Sequence, residues 1–168
     1  VMDPSREIAD KVAKAGKGRK MGLKWIDIPP VWLAGHLAAL WLGRDTGPQV
    51  TGRVWDVLGT ALIAAGLLLM AGAVAVMVAA RTTPIPHQAP AALVTGGPFR
   101  VSRNPIYLGD ALVLTGAIAW TGAVWGVILV PLFVAIVTRR FIHAEEDRLA
   151  AAFGDAFHAW AARTRRWI

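Results

Sequence analysis

The sequence predicts an all-α integral membrane bundle: four transmembrane helices, the last two a tight hairpin, plus a cytoplasmic amphipathic helix at the C-terminus. Three observations predict it. Apolar residues make up 55% of the 168 and charged residues only 17%, against roughly 45–50% and 25% in soluble domains. The apolar residues fall in long unbroken runs. The Lys and Arg residues are split unevenly among the segments that join those runs. This pattern excludes disorder, a nucleic-acid module and a simple soluble enzyme, despite a formal net charge of +7. With no cysteine in the chain, disulfides, Cys-ligated zinc and a Cys nucleophile are excluded as well, and no metal is expected.

Residues 1–20 are polar and Lys-rich, and Met21 reads like a natural start. They are expected to be a tag or linker remnant, leaving 21–168 as one membrane domain. The first span is expected at 29–43, because Pro29 and Pro30 suit a first helical turn. The clearest span is 54–80, 27 residues with no charge from Val57 onward. At 1.5 Å per residue it reaches about 40 Å, more than the hydrocarbon thickness of about 30 Å, so it tilts or projects. The stretch from Ile106 to Thr138 is too long for one helix, and Trp120, Thr121 and Gly122 divide it. It reads as a hairpin of spans at 105–120 and 123–142, or as a re-entrant pair with its turn buried against protein.

Charge bias sets the orientation. Seven Lys and Arg precede the first span, two (Arg44, Arg53) lie in the first loop, three (Arg81, Arg100, Arg103) in the second, none in the hairpin turn and six in the C-terminal part from Arg139 onward. Four spans therefore divide the cations 16 against 2, which puts both termini and the 81–104 loop in the cytoplasm.

Two cytoplasmic segments carry the chemistry. The loop ends in Arg103-Asn104-Pro105-Ile106-Tyr107, where Asn104 can cap and Pro105 can open the third span. Arg100, Arg103, Asn104 and Tyr107 thus gather at a helix N-terminus, which favours anions; holding lipid head groups is the plainer role for the arginines. After the fourth span, Leu149, Phe153, Phe157, Trp160, Thr164 and Trp167 recur at helical spacing and form one face of an amphipathic helix at 144–165, lying on the bilayer or capping the bundle. Glu145 and Glu146 open it. Adjacent helical residues point about 100° apart, so Glu145 is free to pair with Arg148 while Glu146 faces inward; stabilising the helix N-terminus is their plainer role.

The order R-N-P-I-Y, apolar hairpin, E-E resembles the isoprenylcysteine carboxyl methyltransferase family and its phospholipid methyltransferase relatives, compact integral membrane enzymes that use S-adenosylmethionine. The likeness covers roughly 81–168. It implies a cofactor site formed by His87, Leu93, Gly97, Arg103, Asn104, Pro105, Tyr107, Glu145 and Glu146, with Arg103, Glu146 and Arg140 as catalytic residues. Gly154, Thr164, Arg166 and Trp167 fit the family's C-terminal pattern. Asn104 stands where eukaryotic members have His, a variant common in bacterial members, which makes a bacterial inner membrane the expected location. Phe157 and Trp160 stand where Tyr is usual, and the first two spans carry no family motif.

The resemblance implies methyl transfer to a lipophilic acceptor, a membrane lipid or small molecule, at a carboxylate, amine or thiol. Ionisable groups within a bilayer are costly and usually face the bundle. His36 and Asp110 therefore either pack internally or line the acceptor's path, and Arg140 either reaches the pocket or snorkels to the interface. A non-catalytic lipid-binding or assembly protein that keeps the fold is the alternative class.

Overall fold

The computed structural model describes residues 28–82 and 91–168. His87 of the expected cofactor loop lies outside them. The described residues are helical, with a single isolated bridge between Gln49 and Ala123 as their only β pairing.

Helix α1 spans Pro29–Gly43 and opens on its two prolines. Helix α2 spans Arg53–Ala79. A 3₁₀ turn, Gly97–Arg100, precedes α3, Pro105–Thr121. Gly122 then takes a left-handed φ of 70° and caps α3 through its N–H to Ile118, the usual role of a glycine just past a helix end. A 3₁₀ turn at Val124–Ile128 leads into α4, Leu129–Val137. The helix continues through a π turn, Thr138–Ile142, into α5, His143–Phe153. Two helices are long and apolar enough to cross a membrane, Arg53–Ala79 and the continuous helix Val124–Phe153, while Pro105–Thr121 is apolar but shorter.

The expected C-terminal helix at 144–165 is corrected in two ways. It continues the fourth apolar segment without a break, and it divides at Gly154, whose φ of 51° and ψ of −124° no L side chain adopts readily. Helix α6, Asp155–Ala161, follows. Residues 162–168 form a non-helical strap.

The backbone of the bundle is the antiparallel pair α2 and α3. Gly59, Gly66 and Ala73, seven residues apart, are the buried positions of α2. A Cβ on Gly59 would stand 2.7 Å from the Gly116 carbonyl oxygen, and one on Gly66 would stand 2.6 Å from that of Gly109. The absent side chains let the two backbones touch, as in membrane helix pairs that associate by close packing rather than by hydrophobic exclusion. Helices α1 and α4 close the other side of α3. Leu40, Tyr107, Leu114, Phe133, Val137 and Phe141 form that core. Leu67, Leu68, Val57 and Val78 on α2, and Val127, Ile128 and Leu132 at and before α4, stay exposed, an apolar outer surface far larger than water tolerates on a monomer.

At one end the 43–52 loop is pinned to the hairpin turn. Trp125 Nε1 donates to the Gly43 carbonyl at 2.9 Å, and Val50 N–H donates to Gly122 at 2.9 Å. At the other end α2 finishes with Arg81 at φ 53° and Thr82 N–H reaching Met77. Thr82 Oγ1 accepts from the Ala91 N–H at 3.2 Å, which ties the returning chain to the end of α2.

Gly66→Leu is expected to destabilise the fold by roughly 1–3 kcal/mol, the cost of overpacking a closed contact, seen as a lower unfolding temperature in detergent. Gly35→Leu, where a Cβ meets nothing within 4 Å, should leave that temperature unchanged.

Candidate functional site

The charged end of α3 and the start of α5 meet because three segments converge there. The 3₁₀ turn docks on α2, with Gly97 against Val76 and Pro98 against Gly72. This buries Phe99 in a second core with Ala73, Phe157 and Trp160, and Trp160 Nε1 donates to the Phe99 carbonyl. The amphipathic face expected from Leu149, Phe153, Phe157 and Trp160 therefore caps the bundle, packed against Met77, Leu93 and Val94.

The strap then crosses the turn before α3. Arg103 N–H donates to the Arg165 carbonyl at 2.9 Å. Ser102 Oγ and Asn104 Nδ2 both donate to the Arg166 carbonyl, at 3.2 and 3.0 Å. Asn104 is the N-cap residue of α3, as expected, but its side chain makes no capping bond. Ser102 Oγ instead accepts the Asn104 N–H at 3.0 Å. The bond from Nδ2 to the strap's carbonyl sets the orientation of the amide. Trp167 Nε1 secures the far side on Thr138 Oγ1.

Between these segments opens a cleft of about 600 Å³, the open solvent at its mouth included. One end is polar, with Arg103, Asn104, Glu145, Glu146 and Thr82. The other is apolar, formed by Leu93, Phe99, Phe157, Trp160 and their neighbours.

The polar end is built around Glu146. Arg166 holds both its oxygens, Nε to Oε1 at 3.1 Å and Nη2 to Oε2 at 2.6 Å. Arg103 Nη1 lies 3.3 Å from Oε1. The Glu146 and Arg103 side chains are 14% and 16% exposed, so the carboxylate is largely desolvated and requires its partners. The hydrogen bond to Glu146 holds the Arg166 guanidinium above its ordinary pKa. Two cations against one anion leave the trio positive. Arg103 Nε is buried with no hydrogen-bond partner among the described residues.

Glu145 also lines the cleft, so the two adjacent acids share one site from different directions. Its Oε1 accepts the Tyr107 hydroxyl at 2.7 Å. Tyr107 itself is buried behind the cleft, stacked on Phe141, rather than forming its wall.

Of the expected cofactor residues, Leu93, Arg103, Asn104, Glu145 and Glu146 line the cleft. Tyr107 supports it, Pro105 is buried in the first turn of α3, and Gly97 faces α2. Arg140 stands elsewhere, in the π turn with its guanidinium 5.2 Å above the Trp32 ring. His36 Nδ1 donates to the Trp32 carbonyl at 2.7 Å and its ring meets Phe133 edge-on. Asp110 is buried one turn beyond Tyr107. The sequence signals did not single out Thr82, Met77, Val94 or Phe99 as cleft residues, nor Arg166 as the main partner of Glu146.

The sequence model of the phospholipid methyltransferase family matches residues 54–156. The chain belongs to that family. The match takes in α2, where no motif is visible by inspection, and ends before the second half of α6 and the strap. No curated protein and no solved structure matches the chain. Family and apolar helices together make this a membrane protein of a methyltransferase family.

Glu146→Ala leaves two guanidiniums facing each other without a counter-charge. It should destabilise this phospholipid methyltransferase family member by about 3 kcal/mol, the lower end for a broken buried pair because Arg166 is partly solvated. Thermal unfolding of the purified protein measures it, and Glu146→Gln, which keeps the shape, should cost less.

Proposed function

We propose that the chain crosses the membrane four times with both termini in the cytoplasm, and that it transfers a methyl group from S-adenosylmethionine to a lipophilic acceptor. The acceptor is a membrane lipid or lipophilic small molecule bearing a carboxylate, amine or thiol. The observation that carries the reading is the pairing of charged groups with an aromatic wall in one cleft of a methyltransferase family domain.

The residues fit the cofactor's parts. Arg103 Nε, without a partner among the described residues, is a buried charged donor, matched to an amino-acid carboxylate. Carboxylate oxygens of Glu145 and Glu146 suit an α-ammonium or ribose hydroxyls. Phe99, Phe157 and Trp160 offer flat apolar surface to adenine. When bound, S-adenosylmethionine supplies an electrophilic methyl on a sulfonium sulfur. The chain's own work is positioning and exclusion of water. Arg103 anchors the cofactor, Tyr107 keeps Glu145 in one orientation, and the capping face of α5 and α6 keeps the cleft dry. His36 and Asp110 are buried and the exposed Arg140 stands over the Trp32 ring; we assign the three to the acceptor's side, reached laterally from the lipid.

Purified protein incubated with methyl-labelled cofactor and extracted membrane lipids should yield a labelled lipid or small molecule by mass spectrometry. Arg103→Gln should reduce that yield by roughly tenfold or more, the loss of one charge-assisted bond. An intact fold that labels nothing overturns the reading.

The absence of cysteine makes the topology directly testable. Asp45→Cys should react with a membrane-impermeant maleimide on intact spheroplasts, and Arg163→Cys only after permeabilisation. The reverse pattern, or reaction of both, overturns the four-span arrangement.

A further inference from the structure

We propose that the C-terminal strap is a positioning element of the cofactor site: Arg166 takes both oxygens of Glu146 and thereby leaves the Nε edge of Arg103 for the cofactor's carboxylate. The inference rests on the methyltransferase reading above. It concerns residues beyond the family match, which ends at residue 156.

Two guanidiniums compete for one carboxylate, and the contest is unequal. Arg166 makes the two-pronged contact at 3.1 and 2.6 Å. Arg103 makes a single 3.3 Å ion pair, and its Nε stays buried without a partner among the described residues. A buried N–H of a charged group that finds no acceptor is costly, and Arg103 is one of the residues that line the cleft. The strap enforces this outcome from its backbone. Its Arg165 and Arg166 carbonyls accept three hydrogen bonds from Ser102, Arg103 and Asn104, so the same peptide that carries the competing guanidinium also grips the turn that carries Arg103. Trp167 on Thr138 fixes the strap's other end. Without Arg166, Glu146 has one guanidinium left to pair with, and the fork of Arg103 closes on it in the favoured two-pronged geometry, which draws Arg103 away from the cofactor's carboxylate.

Calorimetric titration of the full chain in detergent compares S-adenosylhomocysteine with 5′-methylthioadenosine, which has the same nucleoside but no carboxylate. Arg166→Gln should weaken the first by roughly tenfold or more and the second by less than about twofold. Arg166→Lys should fall between wild type and Arg166→Gln for the first ligand, because lysine keeps the charge but lacks the fork. If Arg166→Gln does not fold, Arg166→Lys carries the same comparison between ligands. Equal losses for both ligands would make Arg166 a general structural residue, and no loss for either would remove it from the site; each overturns the inference. A wild-type protein that binds neither ligand overturns the cofactor reading itself.

Discussion

A single carboxylate, Glu146, held between Arg103 and Arg166, organises the polar end of this protein. A largely desolvated carboxylate is tolerated only with its charge matched and its lone pairs used. That requirement draws together the turn before α3, the first turn of α5 and the end of the chain.

The rest of the bundle makes this meeting possible by being short and close. Glycines at the α2 and α3 contact remove the side-chain layer between two helices. This places the end of α2 beside the start of α3, so that the 3₁₀ turn, Phe99 and Thr82 arrive at the same cleft. The π turn at Thr138–Ile142 continues the fourth apolar segment directly into α5. The helix carrying the acids is thus a rigid extension of one packed against α1 and α3, and not a separate element lying on the lipid surface.

Much of this was legible in the residues. Pro29, Pro105 and the Trp120–Gly122 break mark helix boundaries through local backbone chemistry, which needs no partner. The spacing of Leu149, Phe153, Phe157 and Trp160 announced a buried face. The R-N-P-x-Y and E-E pair pointed to Arg103, Glu145 and Glu146 together. Other readings failed for physical reasons. Asn104 has the side chain of a helix cap, yet the Arg166 carbonyl takes its amide. Tyr107 stands among the expected cofactor residues, and its hydroxyl is taken by Glu145. Gly154 sits inside a helical pattern that continues past it, and only its positive φ reveals the break.

By itself the sequence determined the helical class, the apolar segments, their charge asymmetry and the residues able to carry the chemistry, because these follow from local propensity and from solvent preference. Only the tertiary structure decided which partner each polar group takes. Hydrogen bonds across 62 residues, as from Asn104 to Arg166, depend on where the chain returns, and competition among several acceptors within reach leaves no periodic trace. The same holds for Arg166: its charge was visible, but its grip on Glu146, and the free edge this leaves on Arg103, exist only once the strap lies across the cleft.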